Sequence, residues 1–403
     1  MDTLLDFYKE ILSKDAPFQT YSVLSISVVL FTALCIFITN TCIFSELDKI
    51  TAKIGYSTVG FKSTLLLFGT LYAPVITSLQ DIKLGDAVWH HTIVFSITVL
   101  CGFCILLKRG KKRVCEESVR HIIFFQTIGT LASPMLGIYS MRSSYSSIFL
   151  FALYLIYIVL FSTHRKEVHI NLLIDQTTRM PFLASVVDKI LNRSKEGSQK
   201  EWVSTLVSSV TMGTLVGRTF FGKDSILLGV GVFLVLSILS MQTKKTSWFR
   251  NAYSFTCACI ILKAVSIHIY SILRVLFSSA YMTYLGYILI TNIYLLFPLC
   301  VILAVGMAQK RYKLCFTTAL SMPIHVFLFQ KAVYPHVYIN PYYLLVVDRI
   351  TLYSIIFIAI STILLFANNE IRSGLFEVEV GGILLSLYVV YILCILCHPT
   401  LSK

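Results

Sequence analysis

Charged residues are scarce in this sequence: Asp, Glu, Lys and Arg make up 13% of its 403 residues. A soluble protein of average composition carries about 25%. Hydrophobic residues account for 56% of the chain, and its mean hydropathy is +0.79. So few charges cannot solvate the surface of two or three globular domains. The composition therefore excludes a soluble enzyme, a disordered protein and a fibrous protein, and it places the chain in a lipid bilayer.

Acidic side chains are also missing from the middle of the apolar stretches. The 20 Asp and Glu residues lie in loops or at segment ends, as Asp86, Asp224 and Asp348 do. Hard cations such as Ca²⁺ bind several oxygen ligands, carboxylates among them. The sequence also lacks a Ser/His/Asp order, a phosphate-binding glycine loop and a Cys/His metal spacing. These absences argue against an enzyme and against a resident cofactor.

Apolar segments of roughly the length that crosses a bilayer as a helix recur along the chain. They predict an all-α, polytopic, multi-pass membrane protein with about twelve transmembrane helices. Its expected surroundings are the lipid bilayer. The predicted segments are 20–43, 59–79, 91–107, 121–140, 145–162, 204–221, 225–241, 252–272, 281–306, 314–332, 344–366 and 379–398.

Basic residues concentrate in alternate loops. Because basic loops of membrane proteins stay in the cytosol, we predict that these loops are cytosolic. Topology then accounts for the net charge of +14, and no nucleic-acid partner is expected. The basic loops, which hold 22 of the 34 Lys and Arg residues, are 44–58, 108–120, 163–203, 242–251, 307–313 and 367–378.

This orientation divides the chain into two halves that run in opposite directions. The first half is 20–162 and the second is 252–398. Between them lie a cytosolic loop with an interfacial helix, 163–203, and two extra spans, 204–241. Two five-span halves of opposite orientation are typical of inverted-repeat transporters, whose substrate site lies near the middle of the membrane where the repeats meet. The sequence thus predicts two inverted five-helix repeats.

The second segment is interrupted by residues that disturb a helix. Gly69 and Pro74 bracket Thr70 and Tyr72. Proline has no backbone N–H, so Pro74 leaves the carbonyl of Thr70 without its helical donor. Unwound carbonyls and hydroxyl oxygens are ligands that a broken helix offers to a cation.

The ninth segment, the second span of the other half, has a similar pattern. Thr291 and Asn292 lie in its middle, and Pro298 frees the carbonyl of Tyr294. Two corresponding interruptions favour a cation site between the halves. The alternative is a pair of ordinary proline kinks, which are common in membrane helices.

The other groups inside the segments are polar or basic, and the ionisable ones are a lysine and histidines. Lys263 lies in the middle of the eighth segment, and His325 follows Pro323 in the tenth. A buried lysine can titrate or act as a tethered cation, or its ammonium can snorkel to the interface. A lone histidine in a span is more often a satisfied core residue, and His90 and His91 merely begin the third segment. Lys263 and His325 are therefore candidates for a modulating role.

Residues 69–75 resemble a motif of the cation/calcium exchanger superfamily, which includes the sodium/calcium exchangers and the mitochondrial-type sodium/calcium exchangers. The family's first repeat carries Gly-Asn-Gly-Ala-Pro-Asp or Gly-Thr-Ser-Ala-Pro-Glu after a short amphipathic linker. Here 69–75 read Gly-Thr-Leu-Tyr-Ala-Pro-Val, with one residue added, and 44–55 are similar to the linker.

The second repeat is similar as well. The family runs through Gly-Leu-Thr, Gly-Asn-Ser-Ile-Gly-Asp, Ala-Arg-Gln-Gly-Tyr-Pro and Gly-Gly-Pro. The similar stretches here are 286–288, 291–296, 308–312 and 321–323, and 381–388 resembles the family's last span. The resemblance implies an exchanger fold and secondary active transport of a cation.

Both motif acids, which coordinate Ca²⁺ and Na⁺ in the family, are replaced here. Their positions resemble Val75 and Leu296. Without them the resemblance leaves only neutral oxygen ligands. The predicted ion-binding residues are Thr70, Tyr72, Thr77, Ser78, Thr291 and Asn292, and the predicted helix breaks are at Gly69, Pro74, Pro298 and Pro323.

The expected function is that of a cation antiporter whose transported ion is sodium, calcium or a proton, with no cofactor. With neutral ligands we expect weak or absent Ca²⁺ exchange, and either monovalent or proton-linked transport or none. The first alternative is a transport-inactive, exchanger-like membrane protein with an interaction or regulatory role. A membrane enzyme ranks below both, because no cluster of acids, histidines or basic residues lies at one interface.

Overall fold

The computed structural model of the protein describes residues 17–54, 59–72, 86–108, 114, 116–138, 144–163, 230–232, 234–235, 248–276, 284–330 and 349–397. These residues are overwhelmingly helical, and none of them forms a strand. The helices are α1 Pro17–Ile38, α2 Phe44–Ile54, α3 Val59–Leu67, α4 Asp86–Phe95, α5 Cys101–Leu107, α6 Glu116–Ile138, α7 Ser144–Thr163, α8 Trp248–Leu276, α9 Tyr284–Ala308, α10 Tyr312–Ile324, α11 Arg349–Arg372 and α12 Val378–Leu396.

Several of these helices are long and apolar enough to cross a bilayer. The protein is therefore an integral, multi-pass membrane protein, as its composition predicts. The predicted interfacial helix and the two extra spans lie outside the described residues, apart from short helical stretches at 230–232 and 234–235. The candidate spans in the described part of the chain are Ser22–Ala52, Val88–Leu107, Asn251–Leu273, Thr351–Arg372 and Val378–Leu396, with shorter apolar helices at Ile148–Phe161 and Leu295–Ala308.

Burial separates inner from outer helices. In the most apolar window of Val88–Leu107, 78% of the residues are buried inside the protein, against 22% for Ser22–Ala52. The α1 side chains Val23, Ile26 and Val29 are exposed, as an apolar face in contact with lipid would be. The inner helices are α3, α4 with α5, α9 and α10. Of these, α10 packs along α3 and also contacts α5, α6 and α9.

Among the described residues, four π-helical turns interrupt the regular helices. They are Thr39–Ile43 between α1 and α2, Phe68–Tyr72 after α3, Ser96–Leu100 between α4 and α5, and His325–Gln330 after α10. A π turn is rare and occurs frequently at functional sites. Three of the four lie in the inner helices.

The break predicted at Pro298 does not occur. Pro298 is buried inside α9, which continues as a helix on both sides of it. A membrane helix tolerates proline when neighbouring helices hold it in place, because only one backbone hydrogen bond is lost. Pro323 likewise lies within α10, and the change of geometry comes two residues later, in the π turn that begins at His325.

One close helix contact depends on glycine. A Cβ on Gly102 of α5 would lie 3.1 Å from the Gly381 carbonyl oxygen of α12, and a Cβ on Gly381 would lie 3.0 Å from the Gly102 carbonyl oxygen. Small residues at such positions let two backbones approach closely within a membrane.

Loops from the predicted cytosolic set meet at one end of the bundle. The Val114 N–H donates a hydrogen bond to the Gly374 carbonyl at 2.9 Å, which joins 108–120 to 367–378. Arg311 pairs with Asp48 at 2.8 Å, which joins 307–313 to 44–58. Most of the 163–203 loop lies outside the described residues, so its shared face with 108–120 stays a prediction.

Candidate functional site

Buried polar side chains gather on the inner helices. Among the residues whose side chains the structure describes, no Asp or Glu is buried, and no group of three or more His, Cys, Asp or Glu could hold a metal ion. On the inner helices the buried polar residues are Ser63, Thr64 and Thr70 on α3 and its π turn, His90, His91, Thr92, Ser96 and Thr98 on α4 and its π turn, Asn292 on α9, and Thr317, Thr318, Ser321 and His325 on α10 and its π turn.

Asn292 meets Thr92 at the contact of α9 with α4. The Thr92 hydroxyl lies within hydrogen-bonding distance of two acceptors, Asn292 Oδ1 and, at 2.7 Å, the Val88 carbonyl. Asn292 is 5% exposed, and its Nδ2 has no hydrogen-bond partner among the described residues. One polar atom of this amide is therefore unsatisfied, at a cost of about 1–3 kcal/mol.

The single hydroxyl hydrogen of Thr92 decides which amide atom is unsatisfied. When that hydrogen is donated to Val88, Thr92 Oγ1 can only accept, and an amide N–H is the group that fits against it. Amide oxygen and nitrogen are assigned from such networks. In this orientation Nδ2 of Asn292 is paired, and the unsatisfied atom is a carbonyl oxygen, which is a cation ligand.

Thr70 lies in the π turn that follows α3. It is 2% exposed, and its hydroxyl donates to the Leu66 carbonyl at 2.7 Å. Gly69 beside it contacts α8, because a Cβ there would lie only 2.5 Å from Cys259 Sγ. The missing side chain of Gly69 therefore lets α8 pack against this turn, which α9 contacts as well.

Serine hydroxyls join α3 and α4 to α10. Ser63 Oγ and Ser321 Oγ lie 3.0 Å apart, and the Ser96 hydroxyl donates to the Ala319 carbonyl at 2.9 Å. Neutral hydroxyls thus connect the second and third segments to the tenth, where the two predicted halves meet.

Several predicted site residues lie outside what the structure describes. The backbone of Tyr72 is in the π turn after α3 and that of Thr291 is in α9, but their side chains are outside the described set, as are Pro74, Thr77, Ser78 and Val75. The structure therefore places Thr70 and Asn292 in the buried polar region, and the rest of the predicted ligand set stays a prediction.

The two modulating candidates are both buried. Lys263 on α8 is 3% exposed, one turn after Cys259, the residue that contacts Gly69. His325 is fully buried, and its Nδ1 lies 2.7 Å from the Tyr154 hydroxyl of α7.

The structure adds a polar group that the sequence did not single out. His91 Nδ1 lies 3.1 Å from the Tyr391 hydroxyl oxygen, and Nε2 lies 3.3 Å from that of Tyr388, both on α12. The Tyr391 hydroxyl is also 2.8 Å from Ser354 Oγ on α11. The only sequence signal was the pair of histidines at the start of the third segment, and the partners are far away in the chain.

The fold is similar to that of a solved sodium-calcium exchanger, NCX_Mj, studied with 10 mM Na⁺ and 10 mM Sr²⁺ for extracellular ion exchange and binding-site occlusion. The likeness has a TM-score of 0.54 at 10% sequence identity and covers 92% of this chain and 98% of that one. No family model and no curated protein matches the chain. The predicted exchanger-type fold is thus confirmed, while the count of twelve helices and the inverted repeats stay predictions.

Proposed function

We propose that this protein is a secondary active transporter, an antiporter, and that it carries a monovalent cation. The proposal starts from the exchanger-like fold and from the polar interior of α3, α4, α9 and α10. The observation that carries it is the buried amide of Asn292, whose carbonyl oxygen is free to bind a cation when the Thr92 hydroxyl donates to Val88, in a region without a buried carboxylate among the described side chains.

The neutral interior argues for a monovalent ion. Carbonyl and hydroxyl oxygens can replace the hydration shell of a monovalent cation, as carbonyl rings do in channel filters. A divalent ion costs far more to dehydrate, and its protein sites include carboxylates. Neutral oxygens alone would not offset that cost.

Leu296 is a single position at which the expected negative charge is missing. It is 1% exposed and lies four residues after Asn292, so both side chains lie on one face of α9. The family resemblance expects an acid here. An apolar side chain in its place supplies no charge one turn from the amide.

Alternating access would act where the inner helices meet. In the proposed inverted-repeat arrangement, α3 and α4 belong to one half, and α9 and α10 to the other. The contacts between them are hydroxyl and amide hydrogen bonds, such as Ser63 with Ser321 and Thr92 with Asn292. Such pairs are worth about 0.5–1.5 kcal/mol each, so exchanging them for an ion or water is a small step.

Ion flux into proteoliposomes that contain the purified protein tests the proposal. We expect uptake of radioactive Na⁺ against an opposing ion gradient, and no uptake of micromolar Ca²⁺. Asn292→Ala should raise the Na⁺ concentration for half-maximal uptake by about tenfold, because a ligand worth about 1.4 kcal/mol is lost. Asn368→Ala is the matched control, since Asn368 bonds the Leu375 carbonyl in a loop far from this region.

Two results would contradict the proposal. Strong Ca²⁺ uptake by the unaltered protein would show that its ligands lie elsewhere, and absence of any monovalent flux would show that it does not transport these ions. An equal response of the Asn292 and Asn368 variants would remove Asn292 from the site.

A transport-inactive, exchanger-like protein is the second candidate, and one observation favours it. The hydroxyls of Ser63 and Ser321 bond to each other, so part of the interior is closed by its own polar groups. The same flux experiment separates the two, because an inactive relative moves no ion under any gradient.

A further inference from the structure

His91 lies in a pocket of hydroxyl groups inside the membrane. It is fully buried, as are Tyr391 and Ser354, while Tyr388 is half-buried. Both ring nitrogens have a hydroxyl oxygen within hydrogen-bonding distance, at 3.1 Å and 3.3 Å. The ring also packs against both tyrosine rings, with centroids 5.4 Å and 5.9 Å away.

This arrangement satisfies the imidazole in either protonation state. In the neutral ring, the Tyr391 hydroxyl donates to Nδ1, and Nε2–H donates to the Tyr388 oxygen. In the charged ring, both N–H groups donate to the two tyrosine oxygens, and the Tyr391 hydroxyl turns to donate to Ser354 Oγ, 2.8 Å away. The proton adds to the Nδ1 lone pair, and no covalent bond of the protein breaks. Each ring nitrogen keeps a hydrogen-bond partner in both states.

The elements around His91 present uncharged groups to it in the part of the chain that the structure describes. The helices packed against α4 are α9 and α11, and α12 contacts its π turn. Of these, α12 presents the two tyrosines, α11 presents Ser354, and α9 contacts the next residue, Thr92, through Asn292. In the part of the chain that the structure describes, no charged side chain contacts His91. Its protonation would therefore follow the pH of the side to which the pocket opens.

The pocket is next to the region proposed to bind the cation. Thr92 follows His91 in α4 and bonds the Asn292 amide, and the π turn Ser96–Leu100 begins one turn further on. A charge on His91 would redirect the Tyr391 hydroxyl toward Ser354 and strengthen the contact of α4 with α12. Because helical neighbours point to different sides, a change in that contact would also alter the Thr92 contact with α9.

We propose that His91, with Tyr391, Tyr388 and Ser354, is a proton-binding site, and that the proton is the counter-ion of the antiport. This inference rests on the proposed function, since it names the second ion of that exchange. A histidine exposed to water titrates near physiological pH, so His91 would take up the proton while its pocket is open to one side and would hold it through the tyrosine oxygens.

Proteoliposomes with a pH gradient test the inference. An acidic interior should accelerate uptake of radioactive Na⁺ by about tenfold over symmetric pH, a typical size of coupling between two sites. His91→Gln, which can hydrogen-bond but not titrate in this range, should lower that ratio to about one. His268→Gln is the control, because His268 lies on α8 against Phe31 and away from this pocket; its ratio should match that of the unaltered protein.

The outcomes separate the inference from the function on which it rests. If the unaltered protein exchanges Na⁺ for Na⁺ but ignores the pH gradient, or if His91→Gln keeps the full ratio, the proton site is refuted and the cation transporter remains. If no monovalent cation moves at all, both fail.

A second variant covers the case in which His91→Gln does not fold. Tyr391→Phe keeps the ring packed against His91 and Phe357 and removes only the hydroxyl. The charged ring then loses an acceptor, so the pH of half-maximal Na⁺ uptake should move about one unit toward acid. An unchanged pH profile in a folded Tyr391→Phe protein would refute the inference.

Discussion

Two buried histidines, His91 and His325, have the same kinds of partner but different surroundings. Each has Nδ1 near a tyrosine hydroxyl, and each tyrosine belongs to a pair spaced by three residues, Tyr388 with Tyr391 on α12 and Tyr154 with Tyr157 on α7. In the predicted halves, both pairs come from the fifth span of one half and both histidines from the third span of the other.

The ring geometry distinguishes them. The His325 ring meets its neighbours edge to face, at 75° to Tyr154, 87° to Tyr157 and 81° to Phe68. The His91 ring is tilted against Tyr391 by 34°, and the hydroxyls face its nitrogens. Edge-to-face packing suits a ring that fills a core. If His91 binds the proton as proposed, the same residue pair packs in one predicted half and titrates in the other, and the surrounding side chains make the difference.

The largest expected change in ion uptake comes from adding negative charge to the interior of the helix bundle. Val75→Asp with Leu296→Asp restores the two acids that the family resemblance expects, and should raise Ca²⁺ uptake by proteoliposomes from background to a clear signal. Each single variant should do less, because one carboxylate offsets less of the dehydration cost. Equal, background uptake by the single and double variants would show that these positions do not face a common site.

A stability comparison addresses the two histidines directly. Because three rings enclose His325, His325→Ala leaves a cavity and removes the hydrogen bond to Tyr154, at a cost of about 3 kcal/mol. His91→Ala should cost less, since the Tyr391 hydroxyl keeps Ser354 as a partner. Thermal unfolding in detergent, followed by tryptophan fluorescence, measures both. A greater loss in His91→Ala would reverse the assignment of the packing role.

The tyrosine partners give a matched pair of conservative changes. Tyr391→Phe should shift the pH profile of Na⁺ uptake, as argued above, whereas Tyr154→Phe should leave the profile unchanged and lower only the melting temperature. Each loses one hydroxyl from a fully buried ring beside a histidine. If Tyr154→Phe shifts the profile and Tyr391→Phe does not, the proton site belongs at His325.

The smallest expected effect is that of Ser354→Ala. Ser354 bonds Tyr391, which in turn bonds the histidine, and Ser354→Ala removes the described acceptor of the reoriented tyrosine hydroxyl. We expect an acid shift of about half a pH unit, or about threefold in proton affinity. Ser361→Ala, also buried on α11, should cause no shift and serves as the control.

Apolar runs predicted the described helices well, because bilayer thickness sets their length. The predicted start of the third segment at residue 91 was late, since α4 begins at Asp86. The polar run His90-His91-Thr92 lowers local hydropathy, so it resembled a segment end, although it lies a full turn inside the helix. This is why His91 and Thr92 were not predicted as site residues.

Contacts between segments that are distant in the chain could not be predicted from the sequence. Nothing near His91 in the chain indicates Tyr391, 300 residues away, or Ser354 behind it. Pro298 shows the opposite error: a local rule predicted a break, and the packing of α9 against its neighbours kept the helix continuous. Asn292 was predicted from its place in a motif, but its Thr92 partner depends on how α4 and α9 meet.

The glycine contact between α5 and α12 also sets how α12 can tilt. Gly102 and Gly381 let the two backbones approach closely, and the side chains of Leu385, Ile105 and Leu106 pack around this contact. Tyr391 lies ten residues beyond Gly381, about 15 Å along the helix axis. If α12 rotates by about 5° about this contact, Tyr391 is displaced by about 1.3 Å. Along the line to Nδ1, that displacement takes the 3.1 Å separation beyond hydrogen-bonding distance.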